Sequence, residues 1–128
     1  IGLGIPAEPL FRSRDYVQDA HGDYIHDDFR HELALYVDGQ LFTGCAHSGL
    51  ENILSACPWH VHTVVGGFHL LDGQETDEEL VALTHRLKAN YPETRFYTSH
   101  CTGDNVFEVM KGVMGKQLQS FRCGTMIE

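Results

Sequence analysis

Three times along this chain a short apolar run of strand character stops at a polar corner, and a helical spacing takes over. "QLFTGC" leads to Ser48 and then Leu50, Ile53, Leu54 and Cys57. "VHTVV" leads through Gly66-Gly67 to Thr76 and then Leu80, Leu83, Leu87 and Tyr91. "RFYTS" leads to Thr102 and then Val106, Val109, Met110 and Val113. This alternation constrains the fold more than any other feature, because strand–helix–strand crossovers build a sheet covered by helices.

The punctuation agrees with the periodicity. Ser48 with Glu51 and Thr76 with Glu79 have capping-box spacing, and Thr102 is placed to cap the third helix. Pro58, Pro92 and Gly115 mark the helix ends. Ahead of these units "ELALYV" alternates, with Leu33, Leu35 and Val37 on one face, and Asp38-Gly39 predicts a two-residue hairpin turn. "LQSFRCGTMIE" supplies one or two closing strands, for a β-β-α-β-α-β-α-β order. Residues 1–30, with Gly4, Pro6, Pro9, Gly22 and Asp27-Asp28, read as an irregular lead-in to a domain over residues 31–128.

A length of 128 residues allows one domain with a real core, and 42% apolar with 21% charged residues is an ordinary globular balance. No apolar run reaches the roughly 18 residues of a membrane span, and no signal-peptide pattern is present. The formal charge of −9 disfavours nucleic acid and anionic membranes, whose affinity rests on Lys and Arg, and is more compatible with a metal or a cationic ligand. Four cysteines without a CxxC pair argue against a zinc knuckle or a disulfide framework, and favour a reducing, cytoplasmic setting.

Nine histidines are many for this length, and three share a topological position. His47 follows the first strand-to-helix corner and His100 the third, while His69 follows "VHTVV" by the Gly-Gly turn. Residues just past the carboxyl ends of such strands gather along one sheet edge, where ligands bind. Converging imidazoles suit zinc, iron, nickel or similar metals. A lone histidine in such a corner is more often a turn residue bonding local backbone, and three at equivalent corners bring the two readings level. His60 and His62 form an HxH that could place two ligands on one strand face, although the carboxylate and third histidine that usually accompany such a pair are missing. His85 reads as solvated, and His21, His26 and His31 cannot be ranked. Cys45 and Cys101 raise a nucleophile reading, which competes with small buried core thiols.

"GCAHSGLENIL", "VVGGFHL" and "YTSHCTGDNVFEVM", followed by "GT" near the end, resemble in order and spacing the second half of metallo-β-lactamase-fold metallohydrolases. The branch they are most similar to is that of 7,8-dihydropterin-6-yl-methyl-4-(β-D-ribofuranosyl)aminobenzene 5'-phosphate synthase-like proteins, over roughly residues 27–128. The resemblance implies an α/β (α+β) chain, one αβ half of a four-layer αββα fold, with a mixed sheet and helices on one face. It implies a one- or two-metal site, with His47 and His100 as ligands and His69, Cys101 and Thr102 at the site edge. The implied cofactor is a divalent metal, zinc first, with iron or manganese as alternatives. The implied chemistry is attack on a small-molecule substrate by a metal-activated water; no catalytic side chain is assigned.

Two departures qualify that expectation. The HxHxDH motif that supplies the early ligands is absent, since Val64-Val65 stand where His60-Val61-His62 would need Asp-His. Phe68 stands where a bridging ligand is expected, with His69 beside it. The chain therefore reads as a C-terminal half, incomplete as an enzyme by itself, whose bare sheet face requires a missing N-terminal half or a second copy. The alternative is a non-catalytic metal-binding or protein-interaction module that uses that face.

Overall fold

A computed structural model describes residues 16–70 and 76–128, the His100 side chain excepted. Residues 1–15 of the lead-in lie outside that set. The elements are β1 (Tyr16–Gln18), β2 (Tyr24–His26), β3 (Ala34–Val37), β4 (Gln40–Thr43), α1 (Leu50–Ala56), β5 (Thr63–Gly66), α2 (Asp77–Asn90), β6 (Arg95–Thr98), α3 (Asp104–Met114) and β7 (Leu118–Ser120). Short 3-10 turns at His100–Thr102 and Gly115–Gln117 flank α3.

The lead-in is more regular than its sequence suggests. β1 and β2 pair antiparallel, Tyr16 opposite His26. Their turn is held by Asp19, whose carboxylate accepts the amides of His21 and Asp23 at 2.8 and 3.0 Å, with Gly22 in the left-handed region. An Asp at the start of a turn offers this local bonding, and it replaces apolar alternation as the cause of the hairpin.

The main sheet has the order β3-β4-β5-β6-β7. β3 and β4 form the expected hairpin, with Val37 opposite Gln40 and both Asp38 and Gly39 at positive φ, the backbone a two-residue turn of this hand requires. β4, β5, β6 and β7 are mutually parallel neighbours, joined in turn by α1, α2 and α3. Successive right-handed crossovers that always step the same way leave every helix on the same face.

That face carries the core. Leu41, Val64, Phe96 and Leu118, one from each parallel strand, are fully buried. They pack with Leu50, Ile53 and Leu54 of α1, Leu80, Leu83 and Leu87 of α2, and Met110 and Met114 of α3. Burying a side chain of this size contributes about 1.5–3 kcal/mol. Glu51 of α1 and Arg86 of α2 add a two-pronged ion pair, both contacts at 2.9 Å. This mixed α/β sheet with three helices is the expected fold class.

The opposite face is uneven. Register aligns Leu35, Phe42, Val65 and Tyr97 in one row across it. Their exposure falls from 60% through 37% and 8% to 6%. Leu33 and Val37 extend the exposed apolar patch along the β3 edge. No helix among the described residues is long and apolar enough to cross a membrane.

Two caps form differently from their sequence signals. Ser48 does not cap α1: the cap residue is Gly49 at φ 87°, with no side-chain hydrogen bond, and Glu51 is engaged by Arg86. Thr102 does not cap α3 either, for it ends a 3-10 turn and Gly103 takes the cap position at φ 83°. The Ser48 hydroxyl is buried without a hydrogen bond among the described residues, while that of Thr102 bonds Thr98 and the Phe68 amide instead. The Thr76–Glu79 box does form, reciprocally, at the start of α2.

Candidate functional site

β4, β5 and β6 all end at the same sheet edge, and three backbone-anchored contacts stitch their exits together. The Gly67 amide donates to the Gly44 carbonyl at 2.8 Å, and the Leu70 amide to the Cys101 carbonyl at 3.1 Å. The Phe68 amide donates to Thr102 Oγ1 at 3.2 Å, and Thr102 also shares a short hydrogen bond with Thr98 Oγ1. Thr102 is thus a buried clasp between the β5 and β6 exits.

The glycine pair makes the close approach possible. A Cβ on Gly66 would run into the Thr43 hydroxyl, and one on Gly67 into the Cys101 sulfur. Both histidine loops are also backbone-strained. Ala46, just before His47, has φ 59°, and His69 itself has φ 47°. Non-glycine residues rarely adopt this conformation, and such strain gathers at functional sites.

His47 is held from three sides. Glu32, just before β3, accepts the amides of His47 and Ser48 on its two oxygens, at 2.7 and 2.8 Å. The Phe29 ring lies 5.4 Å from the imidazole, tilted 29° from its plane. The His69 ring lies 3.9 Å from it, centroid to centroid. Beside it the Ser48 hydroxyl is buried without a hydrogen-bond partner among the described residues.

The thiols belong to the same edge. Burial first, then the interaction with Cys101 and the charge of Glu32, push the Cys45 thiol above its ordinary pKa. All four cysteines are free.

The structure therefore brings together His47, His69, Cys45, Cys101 and Thr102. The backbone of His100 opens the 3-10 turn after β6 at this edge, while its side chain lies outside the described set. Among the described residues no three His, Cys, Asp or Glu side chains form a group able to hold a metal. His60 and His62 sit before β5 rather than on a strand face, their rings edge to face at 4.5 Å, at the opposite end of the sheet. Glu32 and Phe29 escaped the sequence reading, because their partner is His47, far along the chain, and no local spacing announces that contact.

No protein-family model matches the chain. The crystal structure of Tm1679, a metal-dependent hydrolase of the beta-lactamase superfamily, superimposes on it with a TM-score of 0.68 and 25% identity, over 88% of this chain and 46% of that one. The uncharacterized protein MJ0448 of Methanocaldococcus jannaschii is 27% identical over 101 residues, which are 77% of this chain and 38% of that protein. The chain spans less than half the length of both relatives. Its mixed α/β architecture is that of a beta-lactamase-fold neighbour.

Proposed function

We propose that this chain supplies part of a metal-dependent hydrolase centre of the metallo-β-lactamase kind, with His47, His69 and His100 as its share of the ligands. The observation that carries the reading is the pair of imidazoles His47 and His69, drawn to 3.9 Å from two different strand exits. The likeness to a metal-dependent hydrolase supports it. His69, read from sequence as an edge residue, is favoured as a ligand by its contact with His47 and by its strained backbone.

The donor set fits a divalent metal in part. Imidazole nitrogens suit zinc and other borderline metals. The orphaned Ser48 hydroxyl marks the place as built for a polar guest. Catalytic zinc takes three protein ligands, and two imidazoles are placed among the described residues. A bound metal would lower the pKa of its water toward 7 and polarise the substrate. This chain's residues do the positioning. Glu32 fixes the His47 loop by its two amides, Phe29 backs the ring, and Thr102 locks the neighbouring exits.

The patch of Leu33, Leu35, Val37 and Phe42 supports a complementary αβ half as the covering partner, because the matched region spans less than half of each relative. The same patch favours a second reading, in which the chain is a non-catalytic module that works through this face.

Metal content of the purified protein, combined with hydrolysis of chromogenic esters and phosphoesters, tests the reading. The expected result is at least one tightly bound divalent metal per two chains, lost in His47→Ala. Less metal than this, with no hydrolysis, contradicts it and leaves the interaction module.

A further inference from the structure

Cys45 and Cys101 stand just beyond β4 and β6, which are not neighbours, for β5 runs between them. Strands lie about 4.8 Å apart, so side chains leaving β4 and β6 face a gap of about 10 Å unless their loops converge. They converge over the bare backbone of Gly67. A Cβ there would strike the Cys101 sulfur and stand 3.4 Å from Cys45 Cα. The amides of Gly67 and Leu70 hold the Gly44 and Cys101 carbonyls, fixing one cysteine loop on each side. Above the glycine Cys45 and the Cys101 sulfur thus share one point of approach, and Cys101 is near enough to raise the Cys45 thiol.

We propose that Cys45 and Cys101 form a reversible disulfide that staples the His47 loop to the His100 turn across β5. Both thiols are free in this structure. Closing over that point brings the sulfurs to the roughly 2.05 Å of an S–S bond. A hydroperoxide is the matching oxidant. Cys45, the less buried of the two, attacks one peroxide oxygen, giving a sulfenic acid and releasing water or an alcohol. The Cys101 sulfur then attacks the Cys45 sulfur, forming the disulfide and releasing a second molecule, water. Two thiols lose two electrons, and the O–O bond takes them up. A small-molecule or protein dithiol returns the pair to the reduced form.

Neither other cysteine competes within the chain. Cys57 donates to the Trp59 carbonyl at 3.7 Å, at the far end of the sheet, and Cys123 is exposed near the C-terminus. In a reducing compartment such a bond is transient and sensory rather than structural. Resting on the metal reading above, its effect is to shift two histidine-bearing loops relative to His69, and so to weaken metal binding.

The test uses the chain carrying Cys123→Ser, which removes pairing between molecules. Hydrogen peroxide is expected to lower the intact mass by two hydrogens. Peptide mapping is expected to join Cys45 to Cys101, with dithiothreitol reversing both results. Cys45→Ser and Cys101→Ser each abolish the mass loss. An unchanged mass, a Cys45–Cys57 link, or oxygen addition in place of the bond overturns the proposal. The oxidised chain is expected to bind zinc at least tenfold more weakly than the reduced one. Equal zinc affinity in the two forms overturns the switch. Zinc binding by neither form contradicts the metal reading, while the mapping alone still decides the disulfide.

Discussion

The two faces of the five-stranded sheet are finished to different degrees. On the helical face Leu41, Val64, Phe96 and Leu118 lose all contact with water beneath α1, α2 and α3. On the other, the row from Tyr97 to Leu35 passes from buried to open within four strands, and the open end is apolar. Side chains of the same kind thus occupy opposite environments a single residue apart, as the strand period of two dictates. The helical face carries the stability of this chain. The open end of the other leaves its apolar side chains in water.

Substitutions can separate the faces. Phe96→Ala, beneath the helices, should destabilise the chain by about 3–5 kcal/mol in urea or thermal unfolding, through lost transfer energy and a cavity. Glu32→Ala, at the edge where both faces end, strips the acceptor from two amides and should cost about 1–3 kcal/mol. Amide shifts centred on His47 and Ser48 would accompany that loss. Val65→Ala, at the buried end of the bare face, should cost about 1–2 kcal/mol from its lost methyl groups. Leu35→Ser, at the open end, should change the stability of the isolated chain by no more than about 0.5 kcal/mol. It should nonetheless reduce self-association in sedimentation and dye binding to exposed apolar surface. A cost for Leu35→Ser near that of Val65→Ala would break the comparison, because it would mean that the open end is already packed.

Much of the architecture was legible because its causes are local. Helical spacing and the Thr76–Glu79 box specified α2, and Asp38-Gly39 specified the β3–β4 turn. The strand-to-helix corners alone imply one shared edge for His47, His69 and the His100 turn. What misled was also local chemistry, overridden by tertiary contacts. The Ser48 and Glu51 signal for a cap is real, yet the Ser48 amide bonds Glu32 while Glu51 bonds Arg86. Thr102 likewise turns inward to Thr98 and the Phe68 amide. The clasp by Glu32 and the closing of two cysteines over Gly67 join segments far apart in the chain, and no periodicity records such contacts. The HxH pair was the reverse case, a visible motif that the fold carries to the wrong end of the sheet.

The central claim is that His47 and His69 belong to one metal centre at the carboxyl edge of the sheet. Side-chain NMR of the nine histidines during a zinc titration of the reduced chain tests it most directly. The account predicts that His47, His69 and His100 shift together at the lowest zinc concentrations, while His85 stays still, and that His47→Ala abolishes the response of the other two. Zinc shifts confined to His60 and His62, or spread evenly over all the histidines, would contradict it.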